Sequence, residues 1–442
     1  MKQKKTLLLI LGIVLALAVA VGLFFGVKAL SGSTAPTQEQ LASDPAATGE
    51  KTPADSGNTN PDGTGETNPE ENYEMTPEME AVAARKVYTA DDLTEDDARW
   101  SREVASCGST VLDNRGAQMY YTMSIVNLFS DEQMGPYASM LVDLNTPLSE
   151  QDSGAPGLSW EQYFLMDGMQ QFQVISALKE KAVAEGHSLS EAETAHLESD
   201  LNAIKEGAQE QGYASLDEFL HATFSPGVRY EDYEAYLRSY YLAVSYNEKQ
   251  YQAIQPTAEE LKAYYEANPD YFEDMDTETR DVAVRHILIA PETDAEGNAS
   301  EEAMAAAKAK AEALLEEYLQ NPTEENFAKL AEEHTEDPGS KENGGLYEGV
   351  YPGQMVQPFN DWCFDAARKT GDTGIVETAY GYHIMYFVRT EEQFHWEKVA
   401  ESNLRSETIN AQIEALLEEY PLTVRYADVV LAPLPIINQE TE

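Results

Sequence analysis

The chain has 442 residues, 42% hydrophobic and 24% charged, too long for one compact core and too apolar to be disordered throughout, so two or three domains are expected. Lys and Arg number 29 against 79 Asp and Glu, and a formal net charge of -50 repels phosphate backbones, which excludes nucleic acid as an expected partner. Cys107 and Cys363 stand alone, so a disulfide-stapled scaffold and any CxxC site are excluded; two buried free thiols are expected, with a single Cys107 to Cys363 bridge as the alternative.

Lys2, Lys4 and Lys5 in the first five residues precede an uncharged run from Thr6 to Val27, closed by Lys28. At ~1.5 Å per residue this run crosses a hydrocarbon layer of ~30 Å. Residues 6–28 are therefore expected to be a transmembrane anchor, with the N-terminus in the cytoplasm and the rest extracytoplasmic, because lysines precede the run and are sparse after it. A cleaved secretory signal, whose apolar region is usually shorter, is the alternative. No cysteine occurs before Cys107, so a lipid anchor on an N-terminal cysteine is not expected. Residues 29–75 are mostly small and polar and read as a disordered acidic linker. A calcium loop over Asn58 to Pro69 fails at its twelfth position, where Pro69 replaces the bidentate Glu.

Helical spacing follows. Ser159 is a plausible N-cap for a helix carrying Trp160, Tyr163, Phe164, Phe172, Ile175 and Val183, ended by Gly186. Leu197, Leu201 and Ile204 mark a second helix, and Ser215 with Glu218 and Thr257 with Glu260 read as capping boxes. Between the boxes, Tyr233, Tyr236, Leu237, Tyr240, Tyr241 and Val244 form a stripe, read as core in preference to a groove for unfolded polypeptide. The stretch from Arg85 to Leu148 gives no clear pattern.

From Asp281 to Ile289 the chain alternates as a strand, with Val282, Val284, His286 and Leu288 on one face. An Ala-rich helix is expected over Ser300 to Leu319, then a shorter one after the cap Thr323 with Phe327, Leu330 and Ala331 inward. A Gly-rich loop, a short helix with Phe359, Trp362 and Cys363, a turn at Gly371 to Gly374 and strands at Ile375 to Thr378 and Tyr382 to Arg389 complete the segment. His383, Met385 and Phe387 share a face of the last strand. Two histidines thus occupy apolar faces of separate strands, where a lone histidine is usually a satisfied core residue.

The ordered blocks RHILI, FAKLAEEHTEDPGSKENGG, YPGQMVQPFNDWCF and TGIVETAYGYHIMYF, with the Ala-rich helix between the first two, resemble the parvulin family of peptidyl-prolyl isomerases over residues 279–391. The resemblance implies an α+β domain with a four-stranded antiparallel sheet, helices around it and a proline-binding concave side. It places the paired histidines on His286 and His383, and the polar residue facing the prolyl bond on Asp337, or on Pro338 in an ungapped alignment. The proline shelf falls on Met355 and Phe359, and Tyr380 lines the pocket. Where parvulins commonly read GGDLG, this chain has Gly344, Gly345, Leu346, Tyr347 and Glu348, so Tyr347 takes the place of a pocket leucine. The loop Pro291 to Glu302 has no Lys or Arg, so selection of phosphoserine-proline is not expected. Zinc at His286, His334 and His383 needs a third converging ligand that His334, at a helix edge, is poorly placed to be.

Isomerisation requires loss of amide resonance over a barrier of ~18–20 kcal/mol and breaks no covalent bond, so no metal or organic cofactor is expected. The flanks resemble PrsA-like and SurA-like extracytoplasmic foldases, in which an isomerase domain is inserted into a helical chaperone lobe. That places residues 76–278 and 392–437 in one mainly α-helical lobe, with a returning helix over 396–419 and a strand from Leu422 to Leu431. The expected function is isomerisation and folding assistance for newly translocated polypeptides with Xaa-Pro bonds, with the membrane reached through the N-terminal helix. A non-catalytic holdase is the first alternative and a surface adhesin the second; dimerisation through the lobe is left open.

Overall fold

The structure, a computed structural model, describes residues 75–434 apart from 132–133, 156, 274 and 295–297. The expected tail and anchor, nearly all of the expected linker, and residues 435–437 of the returning segment lie outside the described residues. Among the described residues no helix is long and apolar enough to cross a membrane. The chain divides into two compact units: residues up to Ala253 together with those from Ile409, and Ile254–Thr408.

The first unit begins with α1 (Pro77–Ala83), capped by Thr76, and a hairpin of β1 (Glu103–Cys107) and β2 (Thr110–Asp113). Asp113 then caps α2 (Asn114–Ser130) by accepting from the Gly116 amide at 3.1 Å. A short α3 (Gly135–Leu141) precedes α4 (Trp160–Ala184), whose start is the reciprocal box of Ser159 and Gln162. Next come α5 (Glu191–Glu210), α6 (Leu216–Thr223) and α7 (Tyr230–Ala253). The expected stripes go inward: Phe164, Phe172, Ile175, Leu197, Leu201 and Ile204 join one core with Tyr233, Tyr236, Leu237 and Tyr240, so the tyrosine stripe of α7 is packing. Val183 is an exception and is exposed, because it follows the last inward turn of α4. Ser215 caps α6 through the Glu218 amide, but the Glu218 carboxylate binds the Ala214 amide at 2.8 Å, so the expected reciprocal box is half formed.

The second unit opens with α8 (Ala258–Ala267), started by the reciprocal box of Thr257 and Glu260. Strand β3 (Arg280–Ile289) leads to α9 (Glu301–Tyr318) and α10 (Glu324–His334), capped by Ser300 and Thr323. Then follow β4 (Leu346–Val350), α11 (Gln357–Cys363), β5 (Thr373–Thr378) and β6 (Gly381–Phe394). The antiparallel sheet has the order β4-β3-β6-β5, so both histidine-bearing strands are central. Ala283, Ile287, Ile289, Ile384 and Tyr386 pack on one face with α9 and α10; Val282, Val284, Met385 and Phe387 pack on the other with Phe359 and Cys363. Both faces are therefore covered, where alternation alone implied one. Leu261, Phe272 and Ala400 form a small core of this unit, which is why it is wider than the segment 279–391.

Helix α12 (His395–Glu419) runs from the second unit into residues of the first, and β7 (Leu422–Val424) completes a sheet of order β2-β1-β7. The first unit thus carries a sheet as well as helices. The expected strand Leu422 to Leu431 stops at Val424. Beyond a turn at Tyr426–Asp428, the amides of Val430 and Ala432 bond Asn114 Oδ1 and Gln118 Oε1 at 2.7 and 2.9 Å, so buried α2 side chains replace a neighbouring strand. Cys107 and Cys363 are both free and buried, as expected without the bridge.

Candidate active site of the sheet domain

His286 lies in β3 and His383 in β6, adjacent antiparallel strands whose register pairs His286 with Met385 and Leu288 with His383. Their side chains meet on the face that carries Phe359. The two Nδ1 atoms are 3.1 Å apart and the rings are stacked at 5.3 Å. Phe359, 3% exposed, presents its ring edgewise to both imidazoles at 5.5 and 5.4 Å. Met355 packs partly buried against the same cluster.

The loop after α10 is fastened to the end of β3. The Leu288 amide donates to Thr335 Oγ1 at 3.0 Å and the Glu336 amide to the Leu288 carbonyl at 2.9 Å. That zipper delivers Asp337, rather than Pro338, to the histidines: Asp337 Oδ2 lies 2.9 Å from His286 Nε2. The same oxygen accepts from the hydroxyls of Ser340 and of Tyr347, the latter at 3.0 Å. Tyr347 also stacks on His286 with ring centres 5.1 Å apart. On the far side, Thr378 Oγ1 lies 2.8 Å from His383 Nε2 and accepts the Tyr380 amide at 3.1 Å.

These contacts fix the protons by inference from the network. An ionised Asp337 can only accept, so His286 Nε2 carries a proton. With a neutral imidazole, His286 Nδ1 is then the acceptor, His383 Nδ1–H the donor, and His383 Nε2 takes the Thr378 hydroxyl proton. Burial favours this neutral state. It depresses the His286 pKa despite the opposing Asp337 carboxylate, and burial, aided by His286, brings His383 to about 4. Burial pushes Asp337 up, but donors from Ser340, Tyr347 and His286 outweigh it and leave the carboxyl below its ordinary value. Charge attraction from His286 would lower it further only if that ring were cationic; with the ring neutral, the Ser340 and Tyr347 hydroxyls and the His286 N–H are what favour the carboxylate. Burial and the Asp337 bond push the Tyr347 phenol up to about 12.

Glycine is required at Gly345. Its φ is +73°, its carbonyl accepts the His286 amide at 2.8 Å, and a Cβ there would lie 2.2 Å from the His286 carbonyl oxygen. The backbone of the loop thereby holds the histidine strand from beside it.

Of the sequence-derived residues, His286, His383, Asp337, Phe359 and Tyr347 come together, and Met355 packs against the apolar cluster that contains Phe359. Tyr380 does not join them through its ring, which is 55% exposed; only its amide reaches the network. His334, at the end of α10, sits beside Glu333 and not beside the histidine pair. Ser340 and Thr378 were missed. A buried Ser or Thr within a few residues of a candidate site leaves no periodic signal, although both lie inside the quoted blocks.

Residues 271–390 match the family profile described as PPIC-type PPIASE domain. This segment is a parvulin-type isomerase domain. The chain is 28% identical over 177 residues to Foldase protein PrsA 1 of Listeria monocytogenes, covering 38% of this chain and 50% of that protein. It is 32% identical over 114 residues to Foldase protein PrsA of a Geobacillus species, covering 24% of this chain and 41% of that one. It thus spans half or less of the length of these curated relatives. The crystal structure of PrsA from Bacillus subtilis aligns with 62% of this chain and 91% of its own at 20% identity and a TM-score of 0.30. With the parvulin domain in place, the paired imidazoles, their apolar neighbour Phe359 and the Asp337 carboxylate form one continuous group on one face of its sheet.

Proposed function

We propose that the chain is a peptidyl-prolyl cis-trans isomerase and foldase for secreted polypeptides. The observation that carries the reading is the pair His286 and His383, Nδ1 to Nδ1 at 3.1 Å, on the face that holds Phe359 and Met355 within the parvulin domain. The prolyl ring would rest against Phe359 and Met355, excluding water from one side of the amide. The reaction needs no proton transfer, so the histidines serve as a rigid floor whose shape is set by Asp337 and Thr378. A site that grips the twisted amide better than either planar form lowers the barrier. A reduction of ~4 kcal/mol corresponds to about a thousandfold in rate.

The roles of Tyr347 and Tyr380 are assigned with the site: Tyr347 borders the slot and anchors Asp337, and Tyr380 stands at the rim. The apolar run of residues 6–28 would tether the chain to the membrane with its folded units outside, where slow prolyl isomerisation limits the folding of secreted proteins. The segments around the isomerase domain would form the chaperone lobe. The test is cis/trans exchange of a short non-phosphorylated Xaa-Pro peptide by NMR, with the full chain at substoichiometric amount. Acceleration that falls in His286→Ala and Met355→Ala is expected. Well-folded protein without acceleration overturns catalysis and leaves a holdase.

A further inference from the structure

Asp281, near the start of β3, is 0% exposed, and among the described residues no donor meets its carboxylate with hydrogen-bond geometry. Its counter-charge is the ammonium of Lys398 in α12, with Nζ 3.0 Å from Oδ2, and His395 Nδ1 lies 3.7 Å from the same oxygen. A carboxylate taken out of water is costly unless its cation stays close, so the pair moors the first turn of α12 to β3. Two further contacts fix that turn. Glu397 accepts the Phe394 amide at 2.9 Å, and Trp396 packs on Tyr265 with ring centres 4.9 Å apart, beside the buried Ala400 and Phe272.

His395, so held, carries Tyr351. Their rings are stacked with centres 3.8 Å apart and planes 21° apart. Tyr351 follows β4 and opens the turn Tyr351-Pro352-Gly353-Gln354, with proline second and a glycine at φ +87° third, as a type II turn requires. The Gln354 amide donates to the Tyr351 carbonyl and the Tyr351 amide to Gln354 Oε1, both at 3.2 Å, so the turn is closed from both ends. The Gly353 amide donates to Asn360 Oδ1 of α11 at 2.7 Å. Met355 is the residue that leaves this turn, and α11 bears Phe359. A stack at one end of a closed four-residue turn therefore fixes how the backbone enters Met355 at the other.

We propose that His395 and Tyr351 are positioning residues for the proline slot: moored through the first turn of α12 to Asp281, the stacked pair sets where Met355 stands and so how closely the slot fits a prolyl ring. The inference rests on the isomerase reading and deepens it, since it adds two residues that touch neither the histidine pair nor the peptide. A group that grips a reactant must be placed finely, because a displacement of about 1 Å is enough to cost up to about a hundredfold. The prolyl ring is gripped in the planar and the twisted amide alike. A loosened shelf therefore raises KM more than it lowers kcat.

The test follows exchange of the short non-phosphorylated Xaa-Pro peptide by the full chain over a range of peptide concentrations, beside the carbon-13 methyl signal of Met355, assigned through Met355→Leu. His395→Ala and Tyr351→Ala are each expected to raise KM at least about threefold, to leave kcat within about twofold, and to shift the Met355 methyl signal. His395→Phe keeps a ring under Tyr351 and should recover most of the loss. In a Met355→Ala background, adding His395→Ala should change kcat/KM by less than about twofold, because the effect runs through Met355. A folded His395→Ala chain with wild-type KM and an unmoved methyl signal overturns the proposal, and so does a full further loss in the Met355→Ala background. If His395→Ala fails to fold, Tyr351→Ala decides by the same two readouts. A wild-type chain that does not accelerate exchange would sink the isomerase reading instead; the methyl signal would then decide alone whether the stack holds Met355, and an unmoved signal in Tyr351→Ala would overturn that too.

Discussion

His286 and His383 face each other Nδ1 to Nδ1 at 3.1 Å, and only one proton can lie between them. Since Asp337 claims the Nε2 proton of His286, the shared proton belongs to His383. Nitrogen-15 NMR of the two rings is expected to show neutral imidazoles at pH 7, His286 protonated on Nε2 and His383 on Nδ1. The opposite pair of tautomers, or a cationic ring, would break the hydrogen-bond assignment.

Stability should follow the same depressed pKa values. Both histidines are harder to protonate folded than unfolded, so between the ordinary value of 6.5 and about 4 for His383 the unfolded chain binds more protons. The stabilising contribution is complete above pH 6.5 and is lost as pH falls toward about 4. Urea midpoints of the parvulin domain, followed by its tryptophan fluorescence across that window, are expected to fall with acid. A His383→Gln variant should flatten the slope.

The two proposed shelf residues should separate binding from folding. Met355 is only partly buried, so Met355→Ala is expected to cost less than about 2 kcal/mol of stability and to slow isomerisation about tenfold. Phe359 is buried against both imidazoles, and Phe359→Ala should cost ~3–5 kcal/mol. Denaturation curves beside exchange rates check this. Equal rates in Met355→Ala and wild type would remove Met355 from the site.

Tyr347→Phe keeps the ring on His286 and removes one hydroxyl donor from Asp337. The expected loss is about 1 kcal/mol of stability. The Asp337 carboxyl should titrate nearer its ordinary value, since one of the bonds holding it down is gone. Carbon-13 titration of the carboxylate reads this directly, and an unmoved value would mean that Ser340 and His286 suffice.

Gly345→Ala places a methyl group against the His286 carbonyl in a left-handed backbone. A loss of more than about 2 kcal/mol is expected, with broadened His286 resonances. Tolerance of the substitution would show that the loop can move off β3.

The parvulin domain was legible because its strands alternate, its helices carry caps and its blocks occur in a fixed order. Asp337 was ambiguous by one position, since only the Thr335 to Leu288 zipper, a contact between distant residues, decides which loop residue faces His286. The region from Arg85 to Leu148 was illegible for the opposite reason. Helix α2 is buried from Ala117 to Ile125 without interruption, so it has no polar face for a 3.6-residue period to reveal. Residues 429–432 resembled a strand in composition, but side-chain amides rather than a ladder satisfy their backbone, and sequence patterns do not encode such a substitution.

The pairing of Ala105 with Val424 sets an order of assembly. Strand β1 is made early, yet its neighbour β7 leaves the ribosome only after the whole second unit has been synthesised. Closing a contact across so much chain is slow when the intervening segment is unstructured and easier once that segment has collapsed. All of Ile254–Thr408 is therefore synthesised before the sheet of the first unit can close. Until then the β2-β1 hairpin would wait with an open edge on β1, and a truncation before Leu422 should leave that edge exposed while sparing the histidine pair.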